Sequence, residues 1–135
     1  MNIVLDTNCL IMAISSRNKY YKVWKNFLEG VYDLCISNDI IEEYYEVISR
    51  NINTKFAEYV ITAIINRKNV KKITPTFAFN LITADPDDNK FVDCAIVGNA
   101  RYIVTEDHHF DVLREIEFPK VDIMNIDEFL KELGN

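Results

Sequence analysis

Residues 3–8 read IVLDTN: Ile3, Val4 and Leu5 run apolar, then stop on the acid, hydroxyl and amide of Asp6, Thr7 and Asn8. A short β-branched run of this kind reads as a strand buried on both faces, and the polar triplet places chemistry at its carboxyl end. Similar runs recur at Leu34 to Ile36, Val70 to Ile73, Tyr102 to Val104 and Val121 to Met124. Helical patterns separate them at about 19–29, 38–50, 54–67, 87–99 and 126–133, with shorter helices expected after Asp6 and after Asp107. Strands alternating with helices predict an α/β domain whose parallel sheet is covered on both faces. Ser37 is placed to cap the second helix, Asp85 before Pro86 to cap the fourth, and Asn125 with Glu128 to open the last as a capping box. The segment Thr74 to Ala84 carries no clear pattern.

With 135 residues, 49% of them apolar, the chain can bury one core, and we read residues 1–135 as a single domain. No run approaches the roughly 20 apolar residues of a membrane span, and a strand begins at once, so a cytoplasmic protein is expected. Cys9, Cys35 and Cys94 sit inside apolar runs without zinc-type spacing, as buried reduced thiols do. A net charge of −6 argues against a generally basic nucleic-acid-binding surface. The distribution leaves local room for one. Arg17, Lys19, Lys22 and Lys25 occupy a stretch without an acid, and Arg50, Lys55, Arg67, Lys68, Lys71 and Lys72 stand against Glu58 alone. Both stretches are expected beside a crevice, guiding a polyanion; ordinary solvated helix faces are the bland alternative.

In open sheets of this type, ligands collect beyond the carboxyl ends of the strands where the chain reverses direction. Asp6 ends the first strand and Asp107 follows Tyr102 to Val104, so two carboxylates meet there if both strands are central. In the 87–99 helix, at about 100° per residue, the apolar stripe of Phe91, Val92, Cys94, Ala95 and Ile96 is centred within roughly 20° of Asp88, and Asp93 points away. Asp88 therefore falls on the buried side of the first turn, where it either serves a site or caps the helix. In the 38–50 helix only Glu43 has apolar neighbours at both i−3 (Ile40) and i+4 (Val47), whereas Glu42 and Glu46 face water. Carboxylates converging on one crevice repel unless a cation joins them. Oxygen donors suit Mg2+ or Mn2+, which can activate water for attack on a phosphodiester.

The segments IVLDTNCLIMAI, ISNDIIEEYYEVISR, ADPDDNKFVDCAIVGNARYIVTEDHHF and MNIDEFL together resemble the PIN-domain family of metal-dependent ribonucleases, especially the small toxins of bacterial toxin–antitoxin pairs. The resemblance implies a three-layer α/β/α sandwich with a five-stranded parallel sheet. It also implies cleavage of single-stranded RNA with Mg2+ or Mn2+ and a possible antitoxin partner; a homodimer is expected as well. The family's acidic positions carry over to Asp6, Glu43, Asp88 and Asp107 as catalytic and metal-binding residues, with Asn8 and Thr105 orienting ligands or water. Thr7 is expected at the turn, Arg17, Lys19, Lys22 and Lys25 on the RNA, and Tyr20, Tyr21 and Trp24 toward a second copy or an antitoxin. Two departures stand out: His108-His109 follow Asp107, read as surface residues, and Asp85 and Asp87 rival Asp88 as ligands. Two other readings compete, a catalytically silent binding module of the same fold and a phosphoacceptor receiver domain. The second lacks its acidic pair after strand one and its aspartate after "NVKKIT".

Overall fold

The computed structural model describes residues 1–15 and 18–134, so Arg17 lies outside the described residues. Five parallel strands, β1 (Asn2–Leu5), β2 (Asp33–Ile36), β3 (Val70–Lys72), β4 (Tyr102–Val104) and β5 (Ile123–Met124), form one sheet in the order β3-β2-β1-β4-β5. Among the described residues six α-helices accompany them: α1 (Thr7–Ile14), α2 (Tyr21–Leu28), α3 (Asn38–Asn51), α4 (Thr54–Ile65), α5 (Asn89–Val97) and α6 (Ile126–Glu132). Successive residues of a strand face opposite sides, and Ile3, Val4 and Leu5 are all essentially fully buried. Both faces of the sheet are therefore covered, which is the three-layer α/β/α arrangement.

The order also decides between folds. A receiver domain runs 2-1-3-4-5, whereas this chain steps from β1 outward to β3 and returns across β1 to β4. The reversal falls between β1 and β4, paired through Ile3 with Tyr102, Val4 with Ile103 and Leu5 with Val104. Backbone bonds carry the pairing past the strand ends: Asp6 N donates to Val104 O at 2.9 Å, and Thr105 N to Met124 O at 3.0 Å.

Capping follows the sequence at α3, where Ser37 Oγ accepts from Ile40 N, and at α6, where Asn125 and Glu128 close a full capping box. The 87–99 helix needs correction. Pro86–Asp88 forms a 3-10 turn capped by Asp85, and α5 starts only at Asn89. Asn89 is buried and brackets Ile82 with two bonds, Ile82 N to Oδ1 at 2.9 Å and Nδ2 to Ile82 O at 2.8 Å. Asp93, on the far side of α5, accepts from Phe79 N at 3.1 Å. These two side chains fasten the patternless stretch between β3 and α5.

Trp24 is corrected as well: it is 6% exposed and packs on Phe27, so it belongs to the core and not to an interface. Tyr21 remains exposed. The three cysteines are free and buried. Among the described residues no helix is long and apolar enough to cross a membrane.

Candidate active site

β1 and β4 end side by side, and each hands its chain to a polar residue. Asp6 takes the position before α1, its Oδ1 accepting from Thr7 N at 2.8 Å and its Oδ2 from Thr105 Oγ1 at 2.7 Å. Thr105 Oγ1 in turn accepts from Asp107 N at 3.0 Å, so one hydroxyl sets both acids. Asp107 Oδ1 accepts from His109 N at 2.9 Å, which starts the 3-10 run His108–Glu115.

Glu43 reaches the same edge from the margin of α3, where Glu42 and Glu46 are exposed. Its Oε2 accepts from Thr7 Oγ1, and its Oε1 takes a 2.7 Å bond from Lys90 Nζ. Thr7 is thus more than a turn residue: buried in the first turn of α1, it ties Glu43 to the end of β1. Beneath it, the buried Tyr44 donates its hydroxyl to Leu5 O.

Asp88 sits where α5 begins, with helical backbone angles, and makes no capping bond. Its Oδ2 is buried and accepts no hydrogen bond, and His109 Nδ1 lies 3.5 Å from it. Helix capping therefore does not explain it. Burial first, then the charges of Asp107, Asp85 and Asp6, push the Asp88 carboxyl up to about 7. Burial also raises Asp6 to about 6, against the Thr105 and Thr7 bonds, with Glu43 and Asp107 adding repulsion. The four acids named from the sequence are thus coupled electrostatically, Glu43 and Asp107 acting on Asp6, and Asp107 and Asp6 on Asp88, while Glu43 is paired with its lysine. Asp85, Asp88 and His109 offer donor atoms that all lie within 4.8 Å of one another. Asp87 is exposed, its amide donating to Asp85.

Other expected residues fall differently. Asn8 is exposed and bonds none of the acids. Lys19 is paired with Asp127 at 3.1 Å in the first turn of α6, which follows β5 and so lies at the carboxyl edge of the sheet. Lys22 is half-buried on α2, and Lys25 is exposed there. Arg67 donates to Leu28 O at 3.1 Å, between the end of α2 and the start of β3. Arg67 and Lys68 therefore lie toward the amino edge of the sheet, opposite the acids, and do not flank the crevice as expected. Sequence reasoning missed Lys90, whose partner is 47 residues away, and Arg114, which lines a 300 Å3 cavity with Thr105, Asp107 and Asn125. A lysine set among the acids of DPDDNK was the available signal. Burial opposes the charge of Lys90, but the bond and charge of Glu43 outweigh it and hold the pKa above its ordinary value.

The PIN domain family model matches residues 2–109, and the chain belongs to that family. Among solved structures it is similar to the crystal structure of VapBC2 from Rickettsia felis bound to a DNA fragment from their promoter. That likeness has 18% identity and a TM-score of 0.64, covering 93% of this chain and 98% of that one. Comparison with curated proteins gives no match.

Proposed function

We propose that this chain is a divalent-metal-dependent endoribonuclease that cuts single-stranded RNA and serves as the toxin of a toxin–antitoxin pair. The observation that carries the nuclease reading is Asp88: a carboxylate oxygen buried without a hydrogen bond, facing the charges of Asp107, Asp85 and Asp6. Such a group is costly unless a cation joins it. The donors fit a divalent ion, with Asp6, Asp88 and Asp107 as holders and Glu43 able to join them. Mg2+ or Mn2+ bound there supplies positive charge against the phosphoryl oxygens and acidifies water.

The rest is the work of the chain. Thr105 and the Thr7 amide hold Asp6 in one orientation, and the 3-10 run holds Asp107. The carboxylates that hold the ion would also help to take the proton of the attacking water. Lys90 and Arg114, at the borders of the acids, supply charge for the flanking phosphates, with Lys19, Lys22 and Lys25 along the path. Family membership favours a nuclease over a silent module, as does the presence of every candidate acid.

The antitoxin partner is proposed from the VapBC2 likeness, and a homodimer formed through the exposed Tyr21 side of α2 goes with it. The deciding experiment incubates purified chain with unstructured RNA in Mn2+, in Mg2+ and in chelator. Cleavage is expected only with metal and is expected to vanish in Asp6→Asn; cleavage that persists in that variant ends the assignment. Induced expression of wild type, but not of Asp6→Asn, is expected to arrest growth of the host, and light scattering checks the dimer.

A further inference from the structure

We infer that Asp85, Asp88 and His109 form a mixed oxygen–nitrogen metal position that selects a first-row transition ion over Mg2+. The proposal names the metal class of the nuclease site and rests on that reading only for the use made of the ion.

The donor atoms come from two separate stretches of chain yet lie within 4.8 Å of one another. Neighbouring donors on a first-row ion are about 3.0–3.4 Å apart and opposite ones about 4.2 Å, so closure draws the side chains together by up to about 1–2 Å. Two further observations point to a ligand. Asp88 is 9% exposed, and its buried Oδ2 accepts no hydrogen bond while facing the His109 ring. The ring nitrogen Nδ1 sits 3.3 Å from Asp107 Oδ1 and 3.5 Å from Asp88 Oδ2, outside the usual range of an N–H···O bond to either. One nitrogen is thus aimed at the gap between two carboxylates.

The ring is held there by its chain. His109 N is bonded to Asp107, and the next residue, Phe110, is fully buried against Phe91 of α5. Asp85 keeps a carboxylate oxygen in hand, since only Oδ1 is taken, by Asp87 N at 3.2 Å. His108 contrasts with its neighbour: it is almost fully exposed and pairs with Asp111. Imidazole is a poor donor for Mg2+, which prefers oxygen and retained water, and a good one for Co2+, Fe2+ or Zn2+. The competing account is a His109 ring that merely pairs with the acids.

Isothermal titration of the whole chain with Co2+ and with Mg2+, without RNA, separates the two, together with the visible spectrum of the Co2+ form. His109→Ala is expected to weaken Co2+ by about tenfold or more, to change Mg2+ by less than about twofold, and to shift the Co2+ band. Asp85→Asn is expected to weaken both ions, and His108→Ala neither. Unchanged Co2+ affinity in His109→Ala, or equal weakening of both ions, overturns the proposal. Protein that binds Co2+ through His109 but leaves RNA intact would instead overturn the nuclease reading and keep the metal position.

Discussion

Nζ of Lys90 lies 2.7 Å from Oε1 of Glu43, with the two side chains only 22% and 23% exposed. Each is the other's counter-charge in a half-buried place, so removing one strands its partner. Lys90→Met is expected to destabilise the metal-free protein by about 1–2 kcal/mol, the loss of a charge-assisted bond that solvent partly screens. A thermal-melt cycle of Lys90→Met, Glu43→Gln and the double variant measures the coupling; simply additive losses would show that the two charges do not depend on each other.

Asp6 and Asp88 give the metal-free protein a definite response to pH. Their folded pKa values, about 6 and about 7, lie above the ordinary 3.8, so between pH 4 and 7 the folded chain keeps protons that the unfolded chain has released. Their contribution to stability is present in acid and is lost as pH rises through the folded values. Asp88→Asn should match wild type near pH 4 and be more stable by roughly 1 kcal/mol at pH 8 in chelator, allowing for solvent screening. Adding Mn2+ should restore wild type and leave the variant behind. A difference between the two proteins that does not change with pH would reject the account, and exposed Asp87→Asn is the control.

Thr105 Oγ1 donates to Asp6 and accepts from the Asp107 amide, so it sets the spacing of two acids. Thr105→Val is expected to cost about 1–2 kcal/mol and at least tenfold in RNA cleavage, whereas Thr105→Ser keeps the bonds and most of both. Equal activity in the Val and Ser variants would show that the hydroxyl does not position the acids.

Arg114 stands in the cavity beside Asp107, and Lys25 is exposed on α2. Replacing each with Gln should lower the slope of log affinity for RNA against log salt by about 0.7 for every phosphate no longer neutralised, with metal affinity unchanged. A slope that stays put in both variants returns these side chains to ordinary surface.

The sheet was legible because period and burial agree: Ile3 to Leu5, Leu34 to Ile36 and Tyr102 to Val104 carry no charged residue, and each is a strand of the observed sheet. Glu43 was legible for the same reason, since helix periodicity separates a margin position from the exposed Glu42 and Glu46. Asp88 was harder. Pro86 and the Asp85 cap wind a 3-10 turn ahead of α5, so a uniform angle per residue across 87–99 misplaces the helix start by two residues. Trp24 was misread because a large aromatic among lysines looks like an interface until its packing against Phe27 is seen. Lys90, Thr7 and His109 act through partners on other elements, and no spacing within one element records that.

Placing β1 between β2 and β4 also imposes an order in time. Asp6 is among the first residues synthesised, yet the threonine that orients it is 99 positions later. While the chain is still being translated, one side of β1 has no partner, and Glu43 can assemble with Asp6 but not with Asp88 and Asp107. Pairing of strands so far apart in sequence is also slow. On the proposed reading, the site of a nascent chain stays incomplete until Thr105 and Asp107 have been synthesised, and a message truncated before β4 yields a fragment that lacks it. Delay is built into the strand order itself.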